Sequence, residues 1–403
     1  MANRRDFLKG IGLGAAALAL PPWLAPARLG GAEAETALPG LTVSPDGVLL
    51  KGGRPWRGIG VNYFDAFLRT FAKPDDTSYE AGFTALADAK IPFARFACCG
   101  FWPVQAKAYR ADKDAYFGRL DAVVKAAERR GVGLVPSLFW YMSTVPDLVG
   151  ESCDQWGNPG SKTIVYMREY AREVVTRYKN SPAIWGWEFG NEYALQADLP
   201  NAAEHRPPTH PTLGTPALRS ARDELTHDMV RTAFLEFARE VRKYDPQRFV
   251  TTGNSIPRPS DWHQMHEHNW TKDSPAEYAP VLTGDTPDPM NVISVHCYGD
   301  ALARLPLTME IAVRARKPLF VGEFGVADKP DTPAAENEKP FGEMLRTIVQ
   351  LKVPMAALWV YDLSSQLGFT VTATNARSWQ LKAISEANGL IRADLVRESA
   401  ARP

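Results

Sequence analysis

The chain has 403 residues, 45% of them hydrophobic, with 46 Lys and Arg set against 46 Asp and Glu. That length and apolar share suffice to bury one large core or two ordinary ones. A formal charge of zero excludes electrostatic recruitment of nucleic acid or anionic lipid and leaves a neutral small molecule or neutral polymer as the expected partner.

The first residues read as a leader. N-R-R-D-F-L-K precedes the apolar run I-G-L-G-A-A-A-L-A-L and then small residues up to Ala34, the pattern of a twin-arginine export signal cut after Ala34. Pro21 and Pro22 stop the apolar run short of the roughly 20 residues needed to span a bilayer, so no lasting membrane partner is expected. The expected organisation is a signal over 1–34 and one domain over 35–403, working in the periplasm or outside the cell. Removal of the leader makes the remainder slightly acidic. Cys98, Cys99, Cys153 and Cys297 fit no zinc-ribbon spacing; an oxidising compartment permits a bridge from Cys98 or Cys99 to Cys153, with free buried thiols the equal alternative.

After the leader, L-T-V-S-P-D-G-V-L-L-K-G-G-R-P-W places two short apolar runs around P-D-G, which predicts a small hairpin closing one end of a core. Eight strand candidates follow, at 57–62, 92–97, 133–138, 184–188, 248–252, 292–297, 318–323 and 356–360. Helix-period segments separate them, among them Y-F-G-R-L-D-A-V-V-K-A-A-E-R-R before Gly131 and M-V-R-T-A-F-L-E-F-A-R-E-V-R-K. Short apolar runs alternating with amphipathic helices imply parallel strands covered on both faces, and eight such units predict an α/β fold of the (β/α)8 TIM-barrel type. A doubly wound open sheet would want a glycine-rich phosphate loop after an early strand, which the sequence lacks. Two long connections, one following Glu192 and one from Asn254 to about Met290, would extend over the C-terminal face where barrel sites are built.

Strand ends carry the chemistry. In W-E-F-G-N-E-Y, Gly190 lets the chain turn, so Asn191 and Glu192 project into the mouth. In F-V-G-E-F-G, alternation carries Glu323 inward with Val321. His296 and Tyr298 stand two apart at the sixth strand end and point the same way. Arg95, at the second strand end, must pair with a carboxylate, because an unpaired buried charge costs about 3–5 kcal/mol. Trp359 offers a flat face to a sugar ring, and Trp140 lies in a loop after a strand where the same stacking is open to it. Glu188 reads as a structural partner for an arginine, and Trp185 and Trp187 as core residues facing the helices.

Taken together these residues resemble the cellulase-like glycoside hydrolases, family 5 and its clan of retaining (β/α)8 enzymes, over essentially the whole mature chain. The resemblance implies a hydrolase in which Glu192 is the acid/base, Glu323 the nucleophile, and Arg95, Asn191, His296, Tyr298 and Trp359 bind or position the sugar. It implies two-step hydrolysis of a β-1,4-linked polysaccharide of the mannan, glucomannan or cellulose type, or of its oligosaccharides, by a monomer needing no cofactor. Arg95 and Tyr298 are expected to hold Glu323 ionised, and the charge of Glu323 to raise the pKa of Glu192. One departure concerns the third strand end, where many cellulases carry a histidine and this chain has S-L-F-W-Y. Mannanase-like members of the family can lack it too, so the departure leaves the chemistry intact and weakens a reading of cellulose over mannan.

His263, His266 and His268 crowd six residues of the second long connection, but H-x-x-H-x-H matches no familiar zinc motif. No metal is expected, and His266 and His268 are assigned to substrate contact. The competing functions are an exo-acting β-glycosidase, a noncatalytic carbohydrate-binding barrel, for which a pair of like-charged carboxyls would be a useless cost, and a metal-dependent hydrolase using these histidines.

Overall fold

The computed structural model describes residues 40–328 and 334–401, so the leader expected over 1–34 lies outside the described residues. The chain opens on an antiparallel meander of β1 (Leu41–Val43), β2 (Leu49–Lys51) and β3 (Arg54–Pro55), one short strand more than the expected hairpin.

Eight parallel strands then form the barrel. They are β4 (Gly58–Asn62), β5 (Phe93–Ala97), β6 (Gly133–Phe139), β7 (Gly186–Gly190), β8 (Phe249–Thr251), β9 (Ile293–Cys297), β10 (Leu319–Phe324) and β11 (Met355–Leu358). Each coincides with one of the eight candidates to within two residues at either end. Their lateral order is β8-β7-β6-β5-β4-β11-β10-β9, with every neighbouring pair parallel. The remaining seam, between β8 and β9, is bridged by the backbone N–H groups of Asn291 and Val292, which donate to the Val250 carbonyl at 3.2 and 3.3 Å. Across the same seam the Val250 N–H donates to the Asn291 side chain at 2.9 Å. A (β/α)8 barrel results.

The sequence forms these elements for local reasons. Helix Lys113–Arg130 starts where Asp112 accepts the Ala115 N–H and stops at Gly131 in the left-handed region (φ 67°). Ser161 and Thr226 cap helices Lys162–Tyr178 and His227–Tyr244 in the same way. Alternation sorts the strand side chains into two apolar layers. Ile59, Val61, Phe96, Trp187, Val295 and Val321 pack outward in the large cluster shared with the helices. Phe93, Val135, Phe249, Val292, Phe320, Met355 and Ala357 gather inside the lower barrel, where Leu41 and Leu49 of the meander join them.

Trp187 faces outward as expected, its indole N–H donating to Asp245 at 2.8 Å. Trp185 does not face the helices. It precedes β7, and its ring lies in the floor cluster against Trp56 (5.2 Å between centroids) and Phe93 (5.9 Å), with Lys51 Nζ 3.8 Å above it. Its carbonyl also accepts the Leu41 N–H at 2.8 Å, which ties the meander to the barrel.

The second long connection is not a plain loop; it folds into helices Asp261–Glu267 and Pro275–Gly284. The first is a chain of short 3-10 turns between Tyr193 and Asp223, pinned over its neighbours by a two-pronged Arg219–Asp147 pair at 2.7 and 2.8 Å. All four cysteines are buried and free. Replacing Trp185 by Ala removes the centre of the floor and is expected to lower unfolding free energy by about 3–5 kcal/mol, read by denaturant titration, with the upper rim of the barrel unchanged.

Candidate active site

Arg95 sits at the centre of the polar half of the barrel, wholly buried. Its Nε donates to Glu188 Oε1 at 2.7 Å, Nη1 to Asn62 Oδ1 and Glu323 Oε1 at 2.9 Å each, and Nη2 to Asn191 Oδ1 at 2.8 Å and the Gly190 carbonyl at 3.4 Å. All five guanidinium N–H groups therefore have acceptors. Trp140 lays its ring over the guanidinium at 4.4 Å. Asn62, opposite Arg95 in the β4–β5 register, is the residue sequence reasoning passed over, although it ends a strand run facing inward. Its amide donates to the Gly322 carbonyl at 2.8 Å.

Glu323 reaches the mouth by a different route from the one alternation suggests. Val321 packs outward with the helical shell and Phe320 inward with the floor, so simple alternation would turn Glu323 outward. The β9 register instead jumps from Val321↔Val295 to Glu323↔His296, and the β11 register jumps from Val321↔Ala356 to Phe324↔Leu358. One residue too many on β10 makes a bulge, and the bulge turns Glu323 inward. Gly322 is the bulged residue. A Cβ there would lie 3.0 Å from His296 Nε2 and 3.2 Å from Ser294 Oγ, so glycine leaves the space that His296 fills.

Glu192 follows β7 in the left-handed region (φ 56°), unusual for a residue with a side chain. Its N–H donates to the Gly253 carbonyl at 3.0 Å, and the Asn191 N–H donates to Trp140 at 3.1 Å, so the turn is held from two neighbouring strands. The carboxyl accepts from His296 Nδ1 at 2.8 Å, and the same nitrogen lies 3.6 Å from Glu323 Oε1. Tyr298 donates its hydroxyl to Glu323 Oε2 at 2.7 Å. The nearest oxygens of Glu192 and Glu323 and the His296 nitrogen all fall within 4.8 Å of one another.

Above these groups lies a cleft of about 730 Å³ lined by Asn191, Glu192, Tyr298 and Glu323 and walled by Phe64, Phe101, Trp102, Trp140, Tyr141 and Trp359. Trp140 and Trp359 run nearly parallel, 28° apart with centroids 6.1 Å apart, and the Trp359 indole N–H donates to Gln366 at 2.7 Å. Trp102 meets His210 of the first long connection edge-on at 5.2 Å. Of the sequence-predicted residues, Glu192, Glu323, Arg95, Asn191, His296, Tyr298, Trp359 and Trp140 come together here.

His266 and His268 do not. His266 stacks on Trp262 at 4.3 Å and bonds its carbonyl at 2.7 Å, and His268 ends helix Asp261–Glu267; neither lines the cleft. The helix that the loop was not expected to contain commits them to their own neighbours.

The electrostatics also differ from expectation. Burial works to raise the Glu192 pKa, yet the hydrogen bond and attraction of His296, with Arg95 and Ser255 behind them, win and hold it below the ordinary glutamate value. At Glu323 burial dominates, and with the charge of Glu192 added it outweighs His296, Arg95 and Tyr298, so the carboxyl is pushed up. Depth decides the pair: the Glu323 side chain is 6% exposed and that of Glu192 30%.

A parallel (β/α)8 barrel with two carboxyls facing each other across its C-terminal mouth, beneath an aromatic cleft, has the architecture of a glycosidase. Residues 58–362 match the family described as Cellulase (glycosyl hydrolase family 5), and the chain belongs to that family. Mannan endo-1,4-beta-mannosidase F of Aspergillus fumigatus is 38% identical over 84 residues, 19% of each chain. The probable mannan endo-1,4-beta-mannosidase C of Aspergillus terreus is 30% identical over 141 residues, 33% of this chain and 30% of its own. The matched segments thus span a third or less of these curated relatives. Among solved structures, the endo-1,4-beta-mannanase from Rhizomucor miehei superposes with a TM-score of 0.64 at 15% identity, covering 88% of this chain and 99% of that one. The exo-beta-1,4-mannosidase Op5Man5 from Opitutaceae bacterium strain TAV5 gives 0.58 at 16%, covering 87% and 63%. At such identities the likeness is one of fold.

With glutamate carboxyls labelled with carbon-13, NMR titration should find Glu323 titrating above and Glu192 below the ordinary value. His296→Asn should raise both, because His296 lowers both in the native site.

Proposed function

We propose that the protein is a retaining endo-β-glycanase that hydrolyses a neutral β-1,4-linked polysaccharide of the mannan or glucomannan type. The observation that carries this reading is the separation of Glu192 and Glu323. Nearest oxygens within 4.8 Å suit direct attack on the anomeric carbon, whose carboxyl spacing is about 5–5.5 Å, and leave no room for the intervening water of an inverting enzyme, which needs about 6.5–9.5 Å.

In the first step Glu192 gives a proton to the glycosidic oxygen while Glu323 attacks the anomeric carbon, and a glycosyl ester forms. In the second, Glu192 takes a proton from water, which displaces Glu323 with net retention. Arg95 and Tyr298 hold the two oxygens of Glu323 in the attack geometry. Asn191, fixed by Arg95, is in position for the sugar 2-hydroxyl, and Trp359 with Trp140 supplies the wall on which the ring lies.

The reacting form has its proton on Glu192 and its charge on Glu323, opposite to the resting preference. His296 stands between the two carboxyls and reaches both. The proton that Glu323 holds more readily at rest must pass to Glu192, and a glycosidic oxygen arriving there supplies the acceptor for its O–H.

Mannan is favoured over cellulose by the names borne by the relatives and by the third strand end, where Leu138-Phe139-Trp140 replaces the histidine of many cellulases. We also include in the proposal export by the twin-arginine route and action as a monomer outside the cytoplasm.

Glu323→Gln and Glu192→Gln should each lower turnover of an aryl β-mannoside at least a thousandfold while the protein stays folded, and near-native rates in both would sink the assignment. Sugar release should be greatest on mannan and glucomannan in a panel with carboxymethyl cellulose, xylan and mixed-linkage glucan, and the first product seen by NMR should be the β-anomer. Replacing Arg4 and Arg5 by Lys should trap the protein in the cytoplasm, read by cell fractionation.

A further inference from the structure

The histidine-rich turn of the second long connection takes no part in the cleft, yet one of its histidines is set up with care. His263, on helix Asp261–Glu267, is nine-tenths buried, at 9% exposure. Its Nδ1 lies 2.9 Å from Asp273 Oδ1. Asp273 also accepts the backbone N–H groups of Trp262 at 2.9 Å and His263 at 3.3 Å, so the carboxylate is fixed and the Nδ1 hydrogen is donated to it. That leaves Nε2, which has no hydrogen-bond partner among the described residues. It faces Glu267 Oε2 and Glu277 Oε1, each 4.0 Å away. Glu267 is one helical turn further on. Glu277 comes from the first turn of helix Pro275–Gly284, where its other oxygen accepts the Ser274 N–H at 2.7 Å in a capping box, so Oε1 is the oxygen turned to the histidine.

We propose that His263, Glu267 and Glu277 form a binding site for one divalent first-row cation of the zinc type, with Asp273 orienting the imidazole from behind. One imidazole and two carboxylates are borderline-to-hard ligands suited to such an ion, and water completes the shell. A carboxylate that accepts the remote ring N–H is the usual support for a metal-binding histidine, since it fixes the tautomer and raises the basicity of the coordinating nitrogen. The ion needs its donors at about 2.0–2.2 Å. Both glutamates stand at the surface, with side chains 48% and 31% exposed, and each must swing its carboxylate inward from its present 4.0 Å to reach the ion. The bound ion would clamp the two helices of the insertion together, apart from the catalytic pair. In its absence the proton is the competitor for Nε2: Asp273, Glu267 and Glu277 raise the His263 pKa, so the ion should bind more tightly at pH 8 than at pH 6.

The test uses the untagged, chelator-treated protein and Zn²⁺, followed by titration calorimetry and thermal unfolding. One ion per chain is expected, with a Tm that climbs with Zn²⁺ concentration and turnover of an aryl β-mannoside unchanged. Glu267→Gln and Glu277→Gln, both isosteric changes at surface positions, should each weaken binding about tenfold, and Asp273→Asn by about 10–100-fold. His263→Gln should abolish it. Absence of heat and of a Tm shift at millimolar Zn²⁺ would overturn the proposal. So would binding that inhibits turnover and is indifferent to Glu267→Gln and Glu277→Gln, because that pattern assigns the ion to Glu192, His296 and Glu323, whose donor atoms also cluster within 4.8 Å.

Discussion

A single buried guanidinium organises the upper half of this barrel. Taking Arg95 out of water is tolerable because its hydrogens all end on acceptors drawn from three other strand ends, those of β4, β7 and β10. Two of the acceptors are themselves buried carboxylates, Glu188 and Glu323, so loss of Arg95 would leave both charges uncompensated in a dry interior. The arrangement fixes strands that are far apart in sequence at one level, and it fixes Asn191 and Glu323 toward the same space. The Glu323 carboxyl is thereby part of a rigid lattice, the property that the nucleophile role proposed for it needs if no reorganisation is to accompany attack.

The charge balance of that lattice gives the site its chemical character. Glu188, Glu323 and the nearby Glu192 set three acids around one arginine; burial pushes Glu323 up, and the charge of Glu192 adds to it. His296 hydrogen-bonds Glu192 at 2.8 Å and lies 3.6 Å from Glu323, and its attraction works to lower the pKa of both carboxyls. On the other side, Trp140 contributes twice, covering the guanidinium with one face and lining the cleft beside Trp359. Water is kept from the arginine by the same ring that walls the cleft.

Much of this was legible in the chain. The eight strands could be read because a strand covered on both faces is apolar throughout, and the strand-end residues Arg95, Asn191, Glu192, His296, Tyr298, Glu323 and Trp359 could be read because barrels put chemistry at those ends. What failed had local physical causes. Alternation gave the right direction for Glu323 for the wrong reason, since a bulge has no composition signal beyond one glycine. Trp185 was misplaced because it precedes its strand and escapes the strand's alternation. His266 and His268 stand away from the cleft on helix Asp261–Glu267, which at seven residues is too short to announce itself by periodicity. The relative acidity of the two carboxyls depends on burial depth, which composition does not contain.

The floor of the barrel carries a consequence for how the molecule is made. Leu41 and Leu49 leave the ribosome before any barrel strand, yet the cluster they join includes Phe249, Phe320 and Met355, 200 residues or more downstream. The meander, made before every barrel strand, is therefore among the last elements to find its place, and closing the cylinder must wait for nearly the whole polypeptide. A chain that is released early, or cut short after β10, would leave the barrel open at the β4–β10 seam with its apolar floor exposed.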